Sequence, residues 1–175
     1  MIVLKGFIDL HTHTRYPDFN SFDYKQIEES AMIGGYTNIL AMPNSQQPID
    51  CIENLNLARS TDSLMKLNIC RTGALTKNLQ GKELVNFEKF VQNGVYIFTD
   101  DGKSLVDDNL AEEAFKEVAR LGGAIFQHCE INCHSNPGDI APGKLNDELL
   151  EIHDYEETSI LNRDLKLVEK YGTRY

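Results

Sequence analysis

A chain of 175 residues, 41% hydrophobic and 25% charged, has the length and balance of one globular domain and excludes a disordered or fibrous polypeptide. Its formal net charge of −10 leaves no basic stripe for phosphate, so nucleic acid is not an expected partner, and no apolar run approaches the ~18 residues of a membrane span. Met1 to Lys5 is too short for a signal peptide, and the four cysteines Cys51, Cys70, Cys129 and Cys133 show no C-x-x-C spacing, so reduced thiols and a cytoplasmic location are expected.

In chain order, Gly6-Phe7-Ile8-Asp9-Leu10 reads as an apolar strand that runs into His11-Thr12-His13. After a loop at Arg15-Tyr16-Pro17-Asp18, the spacing of Phe22, Ile27, Ala31 and Met32 predicts a helix over 22–33, which Gly34-Gly35 stops. A β-rich run over 36–42 ends at Pro43-Asn44, and a second helix follows over about 51–64. The unit repeats: a strand over 67–72, a helix over 82–92 capped by Gly94, a strand over 95–98, a helix over 109–121 stopped by Gly122-Gly123, a strand over 124–127 ending at His128, and a helix over 160–171 before Gly172. Residues 132–158 read as a long polar loop, either a lid or a solvated excursion. Its His134 and His153 are expected at the surface.

Strands with few polar residues, alternating with helices, imply a parallel sheet covered on both faces and hence an α/β fold. His11 and His13, Asn44, Thr99-Asp100-Asp101 and His128 all follow strands, where a TIM-type (β/α)8 barrel builds its active site. A doubly wound sheet would place ligands similarly, but a ring gathers strands one, four and five more readily, and no Gly-x-Gly-x-x-Gly or Walker loop is present. About five βα units are counted where a barrel needs eight, so residues 1–175 are expected to form a partial, incomplete barrel domain.

Residues i and i+2 of a strand share a face, so His11 and His13 aim at one point and can share a divalent ion such as zinc; the alternative is a pair of hydrogen-bonded strand histidines. Cys129 and Cys133 beside His128 and His134 imitate a structural zinc cluster, with half the usual ligand set missing.

Taken together, Gly6-Phe-Ile-Asp-Leu-His-Thr-His-Thr-Arg15, Ala41-Met-Pro-Asn44, Phe98-Thr-Asp-Asp-Gly102 and His128-Cys-Glu130 resemble dihydroorotase of the amidohydrolase superfamily. The order and spacing of these motifs match over nearly the whole chain. The resemblance implies zinc, two ions in a complete site, with His11 and His13 on one, Asp101 bridging and His128 on the second. It implies substrate contacts from His13, Arg15 and Asn44. Arg15 is chemically apt, since a guanidinium grips a carboxylate in two places and dihydroorotate carries one. The implied activity is reversible hydrolysis of the cyclic amide of dihydroorotate to carbamoyl-aspartate in pyrimidine synthesis. The family's proton-shuttling aspartate and third metal histidine are expected beyond Tyr175, so no catalytic general base is assigned within the chain.

Two departures touch substrate preference: Tyr16-Pro17-Asp18 stands where the family usually has Glu-Pro-Gly, and 132–158 is not a close match. Alternatives are another cyclic amidohydrolase of the dihydropyrimidinase, hydantoinase or allantoinase kind, which commonly carries a carboxylated lysine where this chain has Asp101, and a non-catalytic dihydroorotase-like scaffold. A homo-oligomer or a pyrimidine-pathway protein is the expected macromolecular partner.

Overall fold

The structure, a computed structural model, describes residues 4–14, 21–130 and 154–175. Strands and helices alternate: β1 (Phe7–Thr12), α1 (Ser21–Ile33), β2 (Tyr36–Ala41), α2 (Ile52–Asp62), β3 (Asn68–Arg71), α3 (Phe87–Gln92), β4 (Ile97–Phe98), α4 (Asp108–Arg120), β5 (Ala124–Ile125) and α5 (Asp154–Tyr171). The fold is mixed α/β, and every strand pair is parallel. β1, β2 and β3 form one sheet in that order, and β4 and β5 a second.

A parallel bridge from Gly73, just past β3, to Phe98 joins the two sheets. Its bonds run from Gly73 N to the Ile97 carbonyl at 2.9 Å and from Thr99 N to the Gly73 carbonyl at 3.0 Å. The strands therefore neighbour one another in chain order with no reversal, whereas a doubly wound sheet reverses at its switch point. Among the described residues they form an open array and not a closed ring.

The core lies under β3 to β5. α4 presents Ala111, Ala114, Phe115 and Val118 inward at helical spacing, and Asp107 caps its start by accepting a hydrogen bond from Leu110 N at 2.8 Å. Phe98 of β4 meets Phe87 and Phe90 edge-on, with centroids 4.8 and 5.9 Å apart. Among the described residues the other end of the array is open, with β1 as an edge strand whose Phe7, Ile8 and Leu10 remain more than half exposed.

Two sequence expectations change. The helix expected over 82–92 begins only at Phe87, because residues 75–85 fold back on themselves: Lys77 N donates to the Glu83 carbonyl at 2.8 Å and Val85 N to the Leu75 carbonyl at 3.0 Å, and Asn86 then caps α3 by accepting from Lys89 N. Leu84 and Val85 are apolar for that packing and not for a helical stripe. The helix expected over 160–171 starts earlier, at Asp154, so the polar stretch read as loop to 158 is helical in its last residues. Past Gly172 the chain runs beside β5: Ile125 N donates to the Arg174 carbonyl at 2.9 Å, and Ala124 and Arg174 form a further parallel bridge. The candidate lid at 132–153, with Cys133, His134 and His153, lies outside the described residues, as does Arg15.

Candidate metal centre

The candidate site sits at the carboxyl ends of β1, β2, β4 and β5. The pleat of β1 puts His11 and His13 on one side, with ring centroids 5.1 Å apart in an edge-to-face arrangement. Thr14, fully buried, anchors the strand end by accepting a hydrogen bond from Arg71 Nη1 at 2.8 Å, and Arg71 is itself held by both oxygens of Asp62. Burial works against the Arg71 charge, but the hydrogen bonds and charge of Asp62 more than offset it and raise its pKa. Met42 N donates to the Thr12 carbonyl at 2.9 Å, which fixes the loop carrying Asn44 beside the histidines.

At the end of β4 the chain turns. Lys103 N donates to the Asp100 carbonyl at 2.9 Å across Asp101 and Gly102, and Gly102 takes φ +80°, a left-handed conformation that glycine adopts without a Cβ penalty. The turn sends the two carboxylates apart. Asp100, buried, accepts from Leu75 N at 2.8 Å and Thr76 N at 3.0 Å and pairs with the Thr76 hydroxyl; burial pushes its carboxyl above the usual carboxylate range despite those bonds. Asp101 faces the histidines. Its Oδ1 lies 3.3 Å from His11 Nε2 and its Oδ2 3.5 Å from His13 Nε2.

The ligand atoms of His11, His13 and Asp101 all lie within 4.8 Å of one another. Two atoms each about 2.0–2.1 Å from a tetrahedral zinc stand roughly 3.3–3.4 Å apart, so these separations suit a shared ion. His128 stands further out, with Nδ1 3.9 Å from Asp101 Oδ1 and Nε2 2.9 Å from a Glu130 carboxylate oxygen. Asn44 lies between ligands: its Oδ1 is within hydrogen-bond distance of His13 Nδ1 at 2.9 Å, and its Nδ2 donates to the Asp101 carbonyl at 3.0 Å and to Asp101 Oδ2 at 2.8 Å.

Sequence reasoning missed the residues that hold the β5 end. Ser104 pairs with the His128 carbonyl and accepts from Glu130 N at 2.7 Å. Asp164, fully buried on α5, receives Arg163, Gln127 Nε2 at 3.3 Å and the Tyr175 hydroxyl at 3.0 Å. Cys129 contacts the Tyr175 hydroxyl at 3.0 Å, and burial, that thiol and Asp164 hold the Tyr175 phenol well above its ordinary pKa. A signal existed for Glu130 alone: in an extended segment His128 and Glu130 share a face.

A family model described as dihydro-orotase-like matches residues 1–174. The chain belongs to this family. Among curated relatives it is 32% identical to a dihydroorotase of Bacillus cereus (strain B4264) and 32% identical to a dihydroorotase of Staphylococcus epidermidis, in each case over 99% of this chain and 42% of the relative. The chain thus spans less than half the length of these relatives. Among solved structures, an L-hydantoinase (dihydropyrimidinase) from Arthrobacter aurescens matches 97% of this chain and 40% of its own with a TM-score of 0.75 at 20% identity. A dihydroorotase from Saccharomyces cerevisiae in complex with 5-fluoroorotic acid matches 98% of this chain and 47% of its own with a TM-score of 0.64 at 18% identity. At those identities the structural likeness concerns the fold.

Proposed function

We propose that this chain supplies the metal-binding part of a dihydroorotase, which reversibly hydrolyses the cyclic amide of dihydroorotate to carbamoyl-aspartate. The observation that carries the reading is the convergence of imidazole nitrogens from β1 and the end of β5 on the one carboxylate of Asp101. Carboxylate oxygens repel nitrogen lone pairs, and a cation between them turns that repulsion into ligation. An N/O donor set of this kind suits zinc. His11, His13 and Asp101 would hold one ion, and Asp101 with His128 a second. When bound, zinc polarises an amide carbonyl and acidifies water.

The chain's own residues do the rest. Asp101, nearly buried, offsets the cationic charge where little water reaches it. His13, Arg15 and Asn44 are the candidate substrate contacts, with Arg15 gripping the ring carboxylate. No general base is assigned to the described residues. In this reading residues 1–175 are one domain, an arc of a (β/α)8 barrel, since parallel strands in chain order are what such a ring requires. The protein would act on its small-molecule substrate in the cytoplasm, as a homo-oligomer or beside another pyrimidine-pathway protein. No helix among the described residues is long and apolar enough to cross a membrane.

The test is a chimera in which residues 1–174 replace the matching segment of the Bacillus cereus dihydroorotase. It should bind zinc and open dihydroorotate in preference to hydantoin. A folded, zinc-loaded chimera that prefers hydantoin, or opens neither, defeats the proposal.

A further inference from the structure

The orientation of the Asn44 amide is forced by its neighbours. A backbone carbonyl and a carboxylate only accept hydrogen bonds, and one end of the amide faces one of each, the Asp101 carbonyl and Asp101 Oδ2 at 3.0 and 2.8 Å. The group there is therefore the NH2, which brings two donors. The other end, 2.9 Å from His13 Nδ1, is then the carbonyl oxygen. That oxygen cannot donate, so the proton of this hydrogen bond sits on Nδ1. A neutral imidazole protonated at Nδ1 carries its lone pair on Nε2, the nitrogen 3.5 Å from Asp101.

We infer that Asn44 is a positioning residue that selects the Nδ1–H tautomer of His13 and pins one carboxylate oxygen of Asp101, presenting both groups to a metal in their ligating state. The purpose rests on the metal-centre reading; the tautomer does not. In the absence of Asn44, the Asp101 carboxylate draws the imidazole proton to Nε2, the atom that must be bare to bind an ion. A second-layer hydrogen bond of this kind fixes tautomer and ring orientation, and its loss typically costs 10–100-fold in metal affinity. This role differs from substrate contact, which would leave the empty site's affinity for metal unaltered on substitution.

The experiment reads the imidazole nitrogens directly. Long-range proton–nitrogen spectra of the metal-free 175-residue chain, with His13 assigned through His13→Gln, should show His13 as the Nδ1–H tautomer, and Asn44→Ala should move it toward Nε2–H with the backbone spectrum otherwise retained. Titration with Co2+ should show binding weakened about 10–100-fold in Asn44→Ala. An Nε2–H His13 in the wild-type chain overturns the inference without any variant, and so does an Asn44→Ala chain with unchanged tautomer and Co2+ affinity. Failure of the wild-type chain to bind Co2+ at all would instead defeat the metal-centre reading, and the metal-free tautomer would still decide the part played by Asn44.

Discussion

Adjacent aspartates with opposite surroundings make the sharpest comparison in the site. Asp101 presents its oxygens to His11 and His13, whereas Asp100 is turned away and satisfied by Leu75, Thr76 and the Thr76 hydroxyl. Asp101→Asn should therefore release bound zinc. Asp100→Asn should keep it while lowering unfolding stability by about 1–3 kcal/mol through the altered buried hydrogen bonds. Metal content by atomic emission and urea midpoints of both variants check this, and a zinc-free Asp100→Asn beside a zinc-bound Asp101→Asn reverses the assignment. The strand period was enough to pair His11 with His13 from sequence. It could not separate Asp100 from Asp101, because the period fails where β4 enters the turn at Gly102. The double attachment of Asn44 was equally hidden, since its partners lie 31 and 57 residues away.

At the scale of elements, the end of β1 is held from below by an ion pair that is itself out of water. The side chains of Arg71 and Asp62 are 2% and 9% exposed, so Arg71→Met should strand a carboxylate and cost ~3–5 kcal/mol, read from chemical denaturation, with Thr14 losing its anchor as well. Tyr24 on α1 packs nearby, 4% exposed, and burial pushes its phenol up to about 12 from 10.0, outweighing the Arg71 guanidinium. A raised folded-state pKa on a tyrosine means the folded chain holds the proton more tightly. Its contribution is thus complete below pH 10 and is lost as pH rises through about 12. Urea midpoints measured from pH 9 to pH 12 should fall less steeply in Tyr24→Phe than in wild type. Element types were legible from glycine stops and apolar spacing. The late start of α3 was not, because Leu84 and Val85 fit a helical stripe and a folded-back strand equally well, and only the bonds to Leu75 and Lys77 distinguish them.

At the scale of the whole molecule, the alternation of strands and helices disclosed a parallel α/β architecture, while strand order needed the Gly73 bridge to become visible. The open edge also has a consequence that sequence could state only generally. Among the described residues β1 pairs with β2 alone and stands beside the exposed Phe7, Ile8 and Leu10, so the isolated chain should self-associate, and Ile8→Lys should shift sedimentation toward monomer. The seam at Gly73 has a different one. His11, His13 and Asn44 belong to the three-strand side, Asp101 and His128 to the two-strand side, and among the described residues the strand pairing between the sides is that bridge. An ion gripped from both banks would act as a rivet across that seam. Zinc at a hundredfold excess over its Kd should then add about 2.7 kcal/mol to the unfolding free energy, and hydrogen exchange should slow most at Gly73 and Thr99, whose amides make the bonds of that bridge. A metal held there would double as the fastener that makes two short sheets behave as one.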